Sequence, residues 1–92
     1  MILHPYLYLN KGGHTKWVQS FAALENGNFA SGSEDHAIKI WNSKSCKLLW
    51  TFNETNGGHN GSVYTMAYLE NGYLASGANS EYDFTVKIWD LL

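Results

Sequence analysis

The chain has 92 residues, of which 45% are apolar, 15% aromatic and 15% charged, a balance typical of a folded protein rather than a disordered one. Six Lys and Arg stand against eight Asp and Glu, so the net charge of −2 offers no basic surface to a nucleic-acid backbone. No sequence segment approaches the ~20 apolar residues of a membrane span, so we expect neither a nucleic-acid nor a membrane partner.

Residues 1–12 contain one strand-like run, "YLYL", which stands shortly before a Gly-Gly-His tripeptide at 12–14. The run "KLLWTF" at 47–52 stands before a second Gly-Gly-His at 57–59. Both runs are rich in the aromatic and apolar residues that favour strands. They are predicted to be equivalent outer strands, and the first of them has no sheet of its own.

The rest of the chain repeats itself. "ENGNFASG" at 25–32 and "ENGYLASG" at 70–77 agree at six of eight positions, with a shift of 45 residues. The shift grows to 48 at Trp41 and Trp89, because the second copy carries three extra residues before Asp83. Repeat periods of about 20–50 residues indicate an array of similar structural units.

Within each copy the local pattern predicts strands. The apolar runs are short and rich in β-branched and aromatic residues. Asn26-Gly27 and Asn71-Gly72 supply the positive φ angles that a two-residue hairpin loop requires. Each unit is therefore predicted to be a four-stranded antiparallel meander of about 45 residues.

Two longer segments extend the repeat. "FASGSEDHAIKIWN" (29–42) and "LASGANSEYDFTVKIWD" (74–90) each follow a Gly-His pair and resemble the WD-repeat family of β-propellers. The first segment ends in Asn42 where the family favours Asp. The resemblance covers about residues 2–92 and implies an all-β fold of four-stranded propeller blades.

The implied layout is an outer strand in residues 1–12, a first blade in 13–57, and a second blade in 58–92 without its own outer strand. Two blades alone would leave broad apolar faces open, beyond the ~300–600 Å² patches of typical monomers. We expect a homo-oligomeric ring in which residues 1–12 of one chain complete the second blade of the next. A trimer would have six blades and a tetramer, which we favour, eight; alternatively the chain is a two-blade fragment of a longer WD-repeat protein.

The resemblance also assigns a buried hydrogen-bond network to each repeat. Its members are His14, Ser31, Asp35 and Trp41 in the first copy, and His59, Ser76, Asp83 and Trp89 in the second. A Ser-His-Asp hydrolase would use the same residue types. Duplication of the set and the lack of a G-x-S-x-G motif argue against catalysis, so a structural role is expected.

No cofactor or metal site is expected, because His14 and His59 occupy equivalent repeat positions and no Cys or His pair has zinc spacing. Recognition is the remaining function. Propellers of this family bind peptides or protein loops on the face that carries two kinds of loop: those between successive blades and those between the second and third strands of a blade. We place Trp17, Glu34, Ser62 and Tyr82 there as candidate partner-binding residues, although Trp17 could instead pack against a neighbouring blade.

The sequence thus predicts a non-catalytic protein- or peptide-interaction scaffold in the cytoplasm or nucleus. The alternative is a lectin-like or other small-ligand-binding propeller that uses pockets between blades.

Overall fold

The computed structural model describes residues 13–91 of the chain. These residues form two antiparallel sheets. The first sheet has four strands in the order β1 (Val18–Ala23), β2 (Asn28–Ser33), β3 (Ile38–Asn42) and β4 (Lys47–Phe52). The second sheet has, within the same range, three strands in the order β5 (Val63–Tyr68), β6 (Tyr73–Ala78) and β7 (Val86–Asp90). A turn of 3-10 helix, Glu54–Asn56, lies between the sheets.

The prediction of all-β antiparallel meanders is confirmed by this topology. The outer strand predicted in residues 1–12 lies outside the described residues. Both Asn-Gly hairpin turns are present, with φ angles of 60° and 79° at Asn26 and Gly27, and of 60° and 83° at Asn71 and Gly72. In each turn a backbone N–H donates to the carbonyl three residues earlier, at 3.1 Å in the first and 3.3 Å in the second.

Each sheet has two faces, which we name after residues at equivalent positions. The alanine face carries Ala22, Ala30, Ile38 and Ile40 in the first sheet and Ala67, Ala75, Val86 and Ile88 in the second. The tryptophan face carries Phe21, Phe29, Ser31 and Trp41 in the first sheet and Met66, Leu74, Ser76 and Trp89 in the second.

The core lies between the sheets, where the alanine face of the first packs on the tryptophan face of the second. Ile38, Ile40 and Leu74 are fully buried there. The ring of Phe52, on β4, stacks on that of Trp89 with a centroid distance of 4.5 Å. This apolar contact holds the two repeats together, because burying such side chains is the main favourable term in folding.

The other two faces are open in the described part of the chain. Ile38 and Ile40 are 1% and 0% exposed, whereas their repeat equivalents Val86 and Ile88 are 73% and 57% exposed. Phe21, on the tryptophan face of the first sheet, is also exposed. The stack of two sheets therefore presents one uncovered face of each kind.

Candidate functional site

The first hydrogen-bond cluster joins three elements of the first sheet. His14 precedes β1, Ser31 lies on β2, Asp35 follows β2 and Trp41 lies on β3. His14 Nδ1 lies 2.9 Å from Asp35 Oδ2, and His14 Nε2 lies 2.6 Å from Ser31 Oγ. Trp41 Nε1 donates to the same Ser31 Oγ at 2.9 Å. The structure thus brings all four residues together, although they span 28 positions of the chain.

The second cluster has the same geometry. His59 Nδ1 lies 2.9 Å from Asp83 Oδ2, and His59 Nε2 lies 2.7 Å from Ser76 Oγ. Trp89 Nε1 donates to Ser76 Oγ at 2.9 Å. The three-residue insertion before Asp83 is absorbed in the loop and leaves these distances unchanged.

The direction of each hydrogen bond follows from the donors available. An indole N–H can only donate, so the serine oxygen accepts from tryptophan. The serine hydroxyl hydrogen is then free to be donated to histidine Nε2, and histidine Nδ1–H donates to the aspartate. Within residues 13–91, every buried side-chain nitrogen and oxygen has a partner.

The two aspartates are held in their ionised form. Burial by itself would raise the pKa of Asp83, because it disfavours the charged carboxylate. Hydrogen bonds from Thr85, from the Asn60 backbone N–H and from His59 outweigh burial, so the pKa of Asp83 lies well below its ordinary 3.8. Burial has the same effect on Asp35, and hydrogen bonds from the backbone N–H groups of Thr15 and Ala37 and from His14 outweigh it, so the pKa of Asp35 is lowered as well.

These clusters are poorly arranged for catalysis. Ser31 and Ser76 are buried, and each hydroxyl oxygen already accepts from an indole N–H. A substrate carbonyl could reach them only if the sheet opened. The described residues also hold no group of three or more His, Cys, Asp or Glu side chains that could bind a metal ion. None of their helical segments is long and apolar enough to span a membrane.

Two of the candidate partner-binding residues meet at the end of the first sheet where β1 begins and β2 ends. The Glu34 backbone N–H donates to the Trp17 carbonyl at 2.9 Å, and Gln19 Nε2 donates to Glu34 Oε2 at 3.2 Å. The Trp17 side chain is largely exposed. An aromatic side chain beside a carboxylate therefore points into solvent at this end.

The other two candidates lie at the equivalent end of the second sheet. The Asn79 backbone N–H donates to the Ser62 carbonyl at 3.1 Å, which ties the loop at 79–85 to the start of β5. Within that loop the Tyr82 N–H donates to Ser80 Oγ at 3.1 Å, and the Tyr82 side chain is as exposed as that of Trp17.

Phe84 is a residue that the sequence reasoning missed. It is more exposed than Tyr82 and lies in the same loop, on the other side of the buried Asp83. The signal was present in the sequence, because a hydrophobic residue directly after a turn aspartate has no sheet position to bury it. Tyr82 and Phe84 therefore form an exposed aromatic pair around a fixed carboxylate.

A shallow cleft of about 110 Å³ lies between the sheets at the end that carries the Asn-Gly turns. Leu24, Ile40, Trp50, Tyr68 and Leu91 contribute to its walls. The hydroxyl of Tyr68 accepts from the Gly72 N–H at 3.0 Å. Lost solvation, together with a hydrogen bond to Glu25 in the turn between β1 and β2, raises the pKa of Tyr68.

Comparison with known proteins identifies relatives of both repeats. The model of the family described as WD domain, G-beta repeat, matches residues 7–42 and 46–90. A stretch of 41 residues is 46% identical to the ribosome biogenesis protein YTM1 of Scheffersomyces stipitis. That stretch is 42% of this chain and 9% of that protein, so the chain matches a small part of this relative.

Solved structures with similar folds include two designed proteins. The computationally designed Ika4 protein has a TM-score of 0.69 and 28% identity, over 87% of this chain and 44% of that one. For the computationally designed Ika8 protein the values are 0.68 and 26%, over 86% and 22%. U3-55K has a TM-score of 0.71 over 85% and 22%; its 23% identity supports the fold alone. The chain spans less than half the length of each.

Proposed function

This chain belongs to the WD-repeat family, and we propose that it is a non-catalytic scaffold that binds a protein or peptide partner. The family match extends over both repeats, and WD-repeat proteins are generally non-catalytic proteins that bind protein partners. The observation that carries the proposal is the exposure of Trp17 and Tyr82 at equivalent ends of two stacked sheets. Large aromatic side chains with polar neighbours are the usual anchors of protein interfaces.

The proposed partner-binding surface consists of Trp17, Glu34, Ser62, Tyr82 and Phe84. Its aromatic members offer apolar area, and Glu34 offers a carboxylate to a basic or amide group of the partner. Tyr82 precedes the buried Asp83 and Phe84 follows it, so the Asp83 side chain holds the backbone that carries both exposed aromatics. Such preorganisation reduces the entropy that the surface would lose on binding.

The hydrogen-bond clusters are proposed to support this surface. Asp35 and Asp83 directly follow Glu34 and Tyr82 in sequence, and each carboxylate accepts from backbone N–H groups of two loops. A fully satisfied buried network rigidifies the backbone around it. The role assigned to the eight cluster residues is thus structural.

We further propose that copies of the chain assemble as a ring of six or eight blades, with the tetramer favoured. The alanine face of the second sheet and the tryptophan face of the first, both open in the described part of the chain, support this, since a propeller blade normally covers such faces. In the assembly, residues 1–12 of one chain would add an outer strand beside β7 of the next. That contact is heterologous, and such contacts give closed rings when the rotation closes.

Two alternatives have some support. The chain spans less than half of its solved relatives, which fits a two-blade piece of a longer WD-repeat protein. The cleft between the sheets could hold a small ligand, but its ~110 Å³ is below the ~300–1,000 Å³ of usual ligand pockets. Similarity to a ribosome biogenesis protein supports the nucleus over the cytoplasm as the proposed location.

Parallel screens against peptide and glycan arrays test the binding proposal. We expect peptide hits, and we expect the double variant Trp17→Ala/Tyr82→Ala to weaken them roughly 30-fold, the effect of losing about 2 kcal/mol at an interface hot spot. Leu69→Ala is the matched control, because Leu69 is exposed at the opposite end of β5. Glycan hits alone, or equal weakening by both variants, would contradict the proposed surface.

Native mass spectrometry of the full chain tests the assembly. Three or four copies per particle would support a ring of six or eight blades. A compact monomer at all concentrations would overturn it and leave the binding proposal to the array result.

A further inference from the structure

The inner strands of the two sheets meet at one tightly fitted contact. Val63, at the start of β5, is 0% exposed and lies over Gly32 on β2. A Cβ atom added at Gly32 would collide with Ser20 Oγ and would also come within 2.6 Å of Val63 Cγ1, so the site requires glycine. Beside it, Ser20 Oγ donates to the Val63 carbonyl at 3.0 Å in a buried hydrogen bond. We call this set the inter-sheet seat.

Both halves of the same seat recur on the open faces. Val18 is the repeat equivalent of Val63 and is 42% exposed. Gly77 and Thr65 are the equivalents of Gly32 and Ser20, and Thr65 retains the hydroxyl group on its exposed side chain. The strand registers match as well, because β1 and β5 each carry an irregularity after this valine.

We propose that a second copy of this chain completes the seat: Val18 of one copy lies over Gly77 of the next, and Thr65 Oγ1 donates to that Val18 carbonyl. This inference rests on the proposed assembly and identifies one contact that would determine how neighbouring copies pack. Gly77 and Thr65 belong to the open alanine face, and Val18 starts the strand that bears the open tryptophan face. The two surfaces therefore fit each other as their equivalents fit within one chain.

We assign a second copy to these open faces because the interface between the two sheets of one chain already shows how an alanine face packs on a tryptophan face. In the alanine face of the second sheet, Val86 and Ile88 stand where Ile38 and Ile40 are buried.

Gly77→Ala is the direct test. Among the described residues of one chain the new Cβ meets only Thr65 Cγ2, at 3.1 Å, so a small shift of that exposed side chain accommodates it. Across the proposed contact it would collide with Val18, as a Cβ at Gly32 collides with Val63. We expect native mass spectrometry and light scattering to show a folded variant whose dissociation constant for assembly rises at least about 10-fold, a change of roughly 1.4 kcal/mol.

The matched control is Gly77→Ala/Thr65→Ser. Serine keeps the hydroxyl group but removes Cγ2, so it relieves the crowding within the chain and leaves the collision with Val18. We expect the double variant to stay dissociated. Recovery of assembly would overturn the inference, because the loss would then come from Thr65 alone. Val18→Ala, which changes an exposed side chain, provides a second variant and should also weaken assembly.

The outcomes separate this inference from the proposed assembly. If the wild-type chain assembles and the Gly77→Ala and Val18→Ala chains assemble equally well, the proposed contact between Val18 and Gly77 is wrong. The proposed ring assembly would remain supported. A wild-type chain that stays monomeric would overturn both. Loss of assembly in both variants with retained circular dichroism supports the seat.

Discussion

Trp89 and Ser76 are joined across β7 and β6 by a 2.9 Å hydrogen bond from Nε1 to Oγ. Trp41 and Ser31 make the same bond at 2.9 Å in the first sheet. In both repeats the serine oxygen therefore accepts a hydrogen bond from tryptophan, and its hydroxyl hydrogen can be donated to the histidine. The serine is the only member of each set that bonds two other members through one atom, which makes it the most informative position to change.

Removing the Ser76 hydroxyl should destabilise the second sheet. Ser76→Ala leaves Trp89 Nε1 and His59 Nε2 without partners in a largely buried site, and unsatisfied buried groups cost about 1–3 kcal/mol each. We expect the free energy of unfolding to fall by roughly 2–3 kcal/mol in urea titrations at one protein concentration. Ser43→Ala, in an exposed turn, is the control and should change it little. A loss at Ser76 no larger than the control would contradict the network.

Stability should fall with acidification. The pKa of Asp83 is lowered in the folded chain, so above the ordinary value of 3.8 the ionised carboxylate stabilises the fold. As the pH falls below 3.8 the unfolded chain takes up a proton that the folded chain resists, and unfolding is favoured. We expect Asp83→Asn to flatten the slope of unfolding free energy against pH between about pH 4 and 2. An unchanged slope would show that other carboxylates cause it.

The second hairpin should need its glycine. Gly72 has a φ of 83°, and a residue with a Cβ atom in this region costs about 1–2 kcal/mol. Gly72→Ala should lower the free energy of unfolding by about that amount. Asn71→Gly should be nearly neutral, since glycine adopts the φ of 60° at that position without strain. Equal losses for both changes would argue against backbone strain as the cause.

The contact between sheets should depend on Phe52. Its ring stacks on Trp89 at 4.5 Å with an interplanar angle of 15°. Phe52→Ala removes this stack from a half-buried site, so we expect a loss of about 2–3 kcal/mol, below the ~3–5 of fully buried phenylalanines. Tryptophan fluorescence should change with it. Leu49→Ala, on the same strand but partly exposed, should cost clearly less.

Much of the fold was predictable because its signals are local. The Asn-Gly turns and the short apolar strands follow from backbone sterics and strand propensity within a few residues. The positions of the clusters came from family resemblance, and the structure brings their members within hydrogen-bond distance. Phe84 was missed because periodicity does not show whether a loop side chain folds inward or outward.

The sequence by itself determined that two similar strand units of about 45 residues exist and where their turns lie, because that information is carried by neighbouring residues. Only the tertiary structure decided which face of one sheet covers which face of the other. The seat of Val63 over Gly32 and the bond from Ser20 join residues more than 30 positions apart, and no spacing rule encodes such an approach. Packing of complementary shapes decides it, because interiors tolerate few voids and few overlaps.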